Sequence, residues 1–177
     1  LDVAAVAKDL LAAVQDVADE LGIAAPTVVV EPGRAIAGPS AFTLYEIGTV
    51  KGVEVSHGVT RSYVSVDGGM SDNVRTALYG ADYSCTLAGR RSTAPARLVR
   101  VVGRHCESGD IVVRDIDFPS DTRDGDLVVA ATGAYCRALA SQYNHVPRPP
   151  VIAVADGDAR VLLRRETIDD LLALEGE

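Results

Sequence analysis

The sequence predicts the end of an α/β domain followed by an antiparallel β-sandwich or barrel. Apolar residues recur at helical spacing over the first 20 positions. A short, continuous apolar run then follows Pro26, as in strands that parallel neighbours bury on both faces. From about Ala41 onward the chain consists of short β-rich runs separated by Gly, Pro, Asp and Ser. These observations divide the chain into residues 1–40 and 41–177.

The first segment contains one helix and one strand. The helix is predicted over residues 2–21, ending at Gly22, because a single apolar stripe contains Val3, Val6, Leu10, Val14, Val17 and Leu21. The strand is predicted over residues 27–30. Because a parallel strand needs parallel neighbours and no later segment repeats this rhythm, its partners are expected upstream of Leu1. The first residue is not Met, so we expect a piece of a longer protein.

The second segment is predicted to be almost entirely β. Its runs are residues 42–55, 61–67, 83–88, 96–102, 111–118, 127–131, 151–155 and 160–165. Residues 147–150 are proline-rich and form a stiff connector before the last hairpin. A short helix over residues 167–175 closes the chain, with Thr167 as its N-cap.

Composition excludes several classes of partner. The 177 residues carry 17 Lys and Arg against 25 Asp and Glu, and the net charge of −8 disfavours binding to a nucleic acid. There is no stretch of about 18 apolar residues and no signal-peptide pattern, which predicts no membrane association and a cytoplasmic location. The three cysteines include no close pair, so neither a disulfide framework nor a metal site is expected.

The first candidate motif is Glu31-Pro32-Gly33-Arg34, which follows the predicted parallel strand directly. Ligands collect at this end of the strands in α/β barrels. Gly33 allows close approach of an anion to the backbone, and Arg34 offers a forked donor for a carboxylate or phosphate. Taken alone, the motif is explained more simply as a plain turn with a surface arginine.

Three further motifs lie in predicted loops of the β domain. Residues 67–79 form a polar loop that contains Arg75 and Tyr79. Cys106 and Glu107 are adjacent on an irregular segment, where both side chains can face one pocket. Tyr135 follows two small residues, which would let its ring approach a ligand. A solvated loop and a core tyrosine are the ordinary alternatives.

The order of these motifs distinguishes the chain. Together they resemble the C-terminal half of the diaminopimelate decarboxylases, which belong to the fold-type III decarboxylases that use pyridoxal phosphate. The resemblance covers nearly the whole chain, and its most specific parts are residues 75–79 and 106–110. It implies that residues 1–40 are the C-terminal end of a (β/α)8 barrel. Residues 41–177 would then be the C-terminal β domain.

The resemblance also implies an activity: the decarboxylation of meso-2,6-diaminopimelate to L-lysine with pyridoxal 5'-phosphate as cofactor. It makes Cys106 the proton donor, acting across a homodimer interface in the partner subunit's site, which suits a thiol because thiols are mostly protonated near neutral pH. The implied substrate contacts are Arg34, Arg75, Tyr79, Glu107 and Tyr135. The implied cofactor contacts are Glu31, Pro32, Gly33, Arg34 and Tyr135.

One expected group is absent from the sequence. In the family that the chain resembles, the Schiff-base lysine lies in the upstream barrel, and the only lysines here are Lys8 and Lys51, neither within a motif. The chain alone is therefore predicted to be inactive. Two alternatives remain open: a related decarboxylase of ornithine, arginine or carboxynorspermidine, and a catalytically inactive homologue with a binding role. His105 is expected to support the Cys106 loop.

Overall fold

The computed structural model describes residues 2–176, and residues 127–130 only by their backbone. The helices are α1 (Val3–Leu21), α2 (Gly33–Ala37), α3 (Arg75–Tyr79), α4 (Cys136–Leu139) and α5 (Ile168–Leu172). The strands are β1 (Phe42–Ser56), β2 (Val59–Val66), β3 (Cys85–Leu87), β4 (Ala96–Val102), β5 (Ile111–Pro119), β6 (Leu127–Ala131), β7 (Val151–Ala155) and β8 (Asp158–Leu163). Two short 3₁₀ turns lie at Gly38–Ser40 and Tyr143–His145.

The predicted first helix is confirmed as α1, with both of its ends capped. The Asp2 carboxylate accepts the backbone N–H of Ala5 at 3.0 Å, and Gly22 ends the helix in the left-handed conformation at φ 66°. Ala18 is its one buried residue among those described, whereas Val3 and Leu21 are about two-thirds exposed. The apolar stripe that predicted the helix is therefore largely uncovered by the described part of the chain. Among the described residues, no helix is both long and apolar enough to cross a membrane.

The predicted strand at residues 27–30 is not observed. These residues pair with no strand in the described chain, and the Val29 side chain is 84% exposed. An apolar run becomes a β-strand only where a neighbour accepts and donates its backbone hydrogen bonds. The described residues provide no such neighbour for this segment.

The main sheet has six strands in the order β3-β6-β1-β2-β4-β5, and β7 and β8 form a separate antiparallel hairpin. Its pairs are antiparallel except for β2 and β4, which run parallel. The prediction of an antiparallel domain is wrong at this pair. Residues 67–95 form the crossover that a parallel pair requires, and alternation of side chains within a strand does not reveal the direction of its neighbour.

Strands β1, β2, β4 and β5 contribute the core of the β domain. In β2 the buried residues alternate, at Ser62, Val64 and Val66. The apolar core cluster consists of Tyr45, Ile47, Val64, Val66, Val99, Val101, Val112, Val113 and Phe118. This core holds β2, β4 and β1 as a rigid platform for the loops that follow them.

The C-terminal segment is attached through an ion pair. The short helix α5 begins at Thr167 with a capping box to Asp170, as the sequence predicted for its N-cap. Just before it, the Glu166 carboxylate accepts the backbone N–H of Arg148 at 2.9 Å and that residue's Nε at 2.6 Å. The carboxylate thus links the last segment to the connector before β7.

We expect this attachment to weaken in acid. The hydrogen bonds from Arg148 hold the pKa of Glu166 at about 2, below the value of about 4.3 for an unfolded glutamate. A depressed pKa stabilises the folded state above the unfolded value and loses that contribution as the pH falls from about 4.5 towards 2. Thermal melts across this range should show a shallower pH dependence for Glu166→Gln. An unchanged profile would contradict the assignment.

Candidate functional site

Three loops meet at one edge of the main sheet. Strand β2 runs parallel to β4, and both β2 and β6 run antiparallel to β1, so β2, β4 and β6 all end at the same edge. The loops that follow these strands are residues 67–79, 103–110 and 132–145. All the motifs of the β domain lie in these loops, and the sheet direction brings them together.

Backbone hydrogen bonds join the three loops. The N–H of Arg104 donates to the carbonyl of Gly68 at 2.9 Å, which links the second loop to the first. The N–H of Ser141 donates to the carbonyl of Ser71 at 2.8 Å, which links the third loop to the first. The loop containing Ser71 therefore lies between the other two.

Asp110 is the buried centre of the junction between the first two loops. It is 2% exposed, and its carboxylate accepts the backbone N–H of Met70 at 2.6 Å and that of His105 at 2.7 Å. A Cβ atom added to Gly69 or Gly103 would lie within 2.5 Å of at least one of the carboxylate oxygens. The two glycines thus leave the space that Asp110 occupies.

Arg75, Tyr79 and Tyr135 form one cluster. The guanidinium carbon of Arg75 lies 5.2 Å from the ring centroid of Tyr79 and 4.8 Å from that of Tyr135. Both tyrosines are more than half exposed, so the cluster faces outward. The segment of residues 67–79 was predicted to be a polar loop. It contains helix α3, a single turn that is too short to show periodicity in the sequence.

Tyr135 is held in a conformation that is rare for a residue with a side chain. Its φ is 68°, and its carbonyl accepts the N–H of Leu139, which closes helix α4. The next residue, Cys136, is buried with its sulfur 3.5 Å from the Asn73 amide oxygen and 3.4 Å from the Tyr83 hydroxyl. These contacts anchor the backbone that presents the Tyr135 ring to Arg75.

Gly133 brings the Glu31–Arg34 motif beside the third loop. The N–H of Gly133 donates to the carbonyl of Gly38 at 3.1 Å, and a Cβ atom at Gly133 would lie 2.1 Å from the carbonyl oxygen of Ala37. Helix α2 and the turn after it therefore pack directly on the segment that precedes Tyr135. Among the described residues, no side-chain hydrogen bond joins Arg34 to the Arg75 cluster.

We expect Gly133→Ala to destabilise the protein. The added methyl group would meet backbone atoms, which cannot rotate away, so the cost should be about 1 to 3 kcal/mol. Gly89→Ala is the matched control because nothing lies within 4 Å of its added Cβ atom. Denaturant melts of both variants would measure the difference. Equal midpoints would show that α2 does not pack on Gly133 as described.

The Glu31–Arg34 motif starts a helix but does not follow a sheet strand. The N–H of Gly33 donates to the carbonyl of Glu31 at 2.8 Å, so that amide is already engaged. Helix α2 begins directly after Pro32, and the side chain of Arg34 is exposed on its first turn. The N–H groups of the first helical turn have no partner within the helix, and Arg34 adds a cation beside them.

Cys106 and Glu107 are both exposed on the second loop. The N–H of Asp110 donates to the carbonyl of Glu107 at 3.1 Å, which closes the turn. The hydroxyl of Tyr143, from the third loop, donates to a carboxylate oxygen of Glu107. This hydrogen bond raises the pKa of Tyr143, because the phenolate would face a carboxylate.

His105 links the Cys106–Glu107 loop to the two neighbouring loops, in keeping with its expected supporting role. Its ring is buried, and its Nε2 lies 2.9 Å from the Ser71 hydroxyl. The Tyr143 ring packs on it with a centroid separation of 5.5 Å. Beside these groups a cleft of about 380 Å³ opens, lined also by Tyr63 and Arg100.

Three residues of the loops are not predicted from the sequence as part of the site: Ser71, Asp110 and Tyr143. Asp110 belongs to a motif that had been identified, so its place in that motif was the available signal. Tyr143 lies far from Glu107 along the chain and has no local pattern that links the two. Only the meeting of the loops brings them into contact.

Comparison with known proteins identifies the class. The model of the pyridoxal-dependent decarboxylases, C-terminal sheet domain, matches residues 16–133. The chain belongs to this family and contains its C-terminal sheet domain.

The relatives of the chain include diaminopimelate decarboxylases from several bacteria. The chain is 61% identical over 174 residues to that of Mycobacterium tuberculosis, covering 98% of this chain and 39% of the relative. It is 57% identical over 176 residues to that of Corynebacterium efficiens, covering 99% and 38%. The crystal structure of the Helicobacter pylori enzyme complexed with L-lysine matches with a TM-score of 0.71 and 31% identity, covering 91% and 38%. The chain therefore spans about two-fifths of the length of these relatives.

Proposed function

We propose that this chain supplies the C-terminal half of the active site of a pyridoxal-phosphate-dependent diaminopimelate decarboxylase. The whole protein would convert meso-2,6-diaminopimelate to L-lysine and carbon dioxide. The observation that carries this proposal is the outward-facing cluster of Arg75, Tyr79 and Tyr135, with the Cys106–Glu107 loop exposed at the same edge of the sheet and so accessible to a partner subunit. The identity of about 60% to diaminopimelate decarboxylases supports the choice of substrate.

The residues of this chain fit one side of a pyridoxal phosphate site. Arg34 and the first turn of α2 offer a cation and backbone donors for a phosphate, at a position where Gly33 has no side chain to obstruct it. Tyr135 presents an exposed ring and hydroxyl beside α2. Glu31 and Pro32 set the turn that starts α2. When bound, the cofactor accepts the electron pair that departing carbon dioxide leaves behind.

Arg75 is the proposed partner of a substrate carboxylate. The guanidinium lies against the Tyr79 and Tyr135 rings, and no carboxylate of the described residues pairs with its N–H edge. That edge matches a carboxylate with two parallel hydrogen bonds. Tyr79 and Tyr135 hold the guanidinium in place, and Arg34 contacts the substrate from α2.

Cys106 and Glu107 are proposed to act on opposite parts of the substrate. The Cys106 thiol would donate a proton to the carbon that has lost carboxylate. The Glu107 carboxylate would bind the ammonium group at the distal end of the substrate. A substrate with an amino acid at each end needs both a cationic and an anionic contact remote from the reacting carbon.

The complete site would require a second copy of the chain and the upstream barrel. Cys106 and Glu107 of one subunit would enter the site that Arg34 and Arg75 of the partner help to form, so a homodimer would contain two shared sites. The Schiff-base lysine would lie upstream of residue 1. The exposed apolar stripe of α1 is a surface that the remainder of a barrel would cover.

Turnover by the full-length protein tests the proposal. We expect decarboxylation of meso-diaminopimelate to be faster by orders of magnitude than that of ornithine, arginine or carboxynorspermidine, because only the first carries the distal carboxylate that Arg75 would bind. A preference for one of the other three would identify a related decarboxylase instead. Absence of turnover with all four would favour a catalytically inactive homologue.

The 177-residue chain alone should not hold the cofactor covalently. Lys8 and Lys51 are both exposed, on α1 and β1, away from the loops of the site. Titration with pyridoxal phosphate should therefore give no visible absorbance band typical of a lysine-bound cofactor, whereas the full-length protein should give one. A saturable band in the short chain, abolished by replacing one of these lysines, would contradict the proposal.

A further inference from the structure

The third loop contains a polar side chain that the proposed mechanism does not use. Tyr143 is 40% exposed and lies 36 residues from Glu107 in the sequence, yet its hydroxyl donates to the Glu107 Oε1 atom. A hydrogen bond to one oxygen restricts the rotation of the carboxylate and leaves its other oxygen free. Glu107 would otherwise be an exposed, flexible side chain on a loop.

Backbone contacts fix the position of Tyr143 on the third loop. The N–H of Tyr143 lies 3.3 Å from the Ser141 hydroxyl, and the N–H of Ser141 is bound to the carbonyl of Ser71. The two residues after Tyr143, Asn144 and His145, both have left-handed φ values of 54° and 56°. Two successive residues in this region are uncommon and indicate that the surrounding contacts impose the turn.

The ring of Tyr143 is positioned independently of its hydroxyl. It packs on the buried ring of His105, whose Nε2 is tied to the Ser71 hydroxyl. His105 in turn is two residues from Glu107, and its backbone N–H is held by Asp110. The same network therefore fixes both the donor and the loop that carries the acceptor.

We propose that Tyr143 is a specificity-determining positioning residue that orients the Glu107 carboxylate towards the distal ammonium group of the substrate. This inference rests on the proposed function, because it assumes that Glu107 binds that ammonium. The hydroxyl acts through Glu107 and does not contact the reacting carbon. Its removal should therefore affect binding of the distal ammonium and leave the chemical step nearly unchanged.

The test uses the full-length protein and two substrates. Tyr143→Phe keeps the ring on His105 and removes only the hydroxyl, so we expect KM for meso-diaminopimelate to rise about tenfold with kcat nearly unchanged, as for loss of one hydrogen bond to a charged group. With 2-aminopimelate, which lacks the distal amino group, the variant and the parent protein should have the same KM. In a Glu107→Gln background, Tyr143→Phe should have no further effect.

Ser141→Ala is the second variant, because it loosens the backbone anchor of Tyr143 and retains the hydroxyl. We expect a smaller rise in KM that is again confined to meso-diaminopimelate. An equal rise for both substrates, an unchanged KM in both variants, or an additive effect in the Glu107→Gln background would overturn the inference. Absence of meso-diaminopimelate turnover by the parent protein would instead refute the proposed function.

Discussion

Cys106→Ala should lower kcat of the full-length protein by about 100- to 10,000-fold, the usual contribution of a positioned general acid. The thiol is exposed on a loop whose backbone is held by the buried carboxylate of Asp110, so the substitution should not disturb the fold. Because the thiol is proposed to act after carbon dioxide leaves, KM should change little. Steady-state kinetics with meso-diaminopimelate would measure both constants.

Cys85→Ala is the matched control. Burial raises the pKa of the Cys85 thiol to about 12, and this cysteine lies in strand β3, outside the three loops of the site. The control should retain full activity. If Cys106→Ala were equally active, Cys106 would not be the acid, and the reading of this loop as half of a catalytic site would fail.

Mixed dimers would test whether Cys106 acts in the partner's site. Subunits with Cys106→Ala would be combined with subunits with Arg34→Ala, each of which should be inactive alone. In a heterodimer with shared sites, one of the two sites would have both residues intact. Random mixing should then restore about a quarter of the parental activity, because half of the dimers are mixed. No recovery would show that the two residues act in the same subunit.

Arg75→Ala should have the second large effect. We expect kcat/KM to fall by an amount that corresponds to a loss of roughly 2 to 5 kcal/mol of transition-state stabilisation, because a substrate carboxylate would remain unpaired. Arg75→Lys should recover only part of this loss. Lysine keeps the charge but has neither the planar fork nor the stacking surface that the Tyr79 and Tyr135 rings contact. Competition between substrates with and without a distal carboxylate would measure the change in specificity.

Arg160→Ala, on the exposed face of hairpin strand β8, is the control for general loss of a surface arginine. It should leave kcat/KM unchanged. An Arg75→Ala variant with the activity of this control would remove Arg75 from the substrate site. A variant of Arg75 that unfolds would be recognised by a lowered melting temperature, and Arg75→Lys would then provide the kinetic comparison.

Local patterns predicted much of the secondary structure. The helix at the start was predicted over residues 2–21 and is observed as Val3–Leu21, because its period, the Asp2 cap and the Gly22 end agree. Strand β4 was predicted with its observed bounds, since a run of Val and Leu ends at Gly103. The bounds of such elements depend on residues that are close together in the sequence, so the sequence alone is enough to predict them.

Two predictions failed for different physical reasons. The apolar run at Val29 resembles a buried strand, but in the described chain it has no hydrogen-bonded neighbour. Helix α3, which carries Arg75, is a single turn ended by Gly80 in the left-handed conformation, so it leaves no periodic signal. The first failure reflects a missing neighbour in space, and the second reflects the shortness of the helix.

By itself, the sequence predicted the candidate site residues of the β domain, through their motifs and the family resemblance: Cys106, Glu107, Arg75, Tyr79 and Tyr135. Only the tertiary structure decided which of them meet. The parallel pairing of β2 and β4 sends the first two loops to the same edge, where an antiparallel pair would have sent them to opposite ends. The tertiary structure also brings Tyr143 to Glu107. A contact between residues 36 positions apart depends on how the loops pack, so no local pattern predicts it.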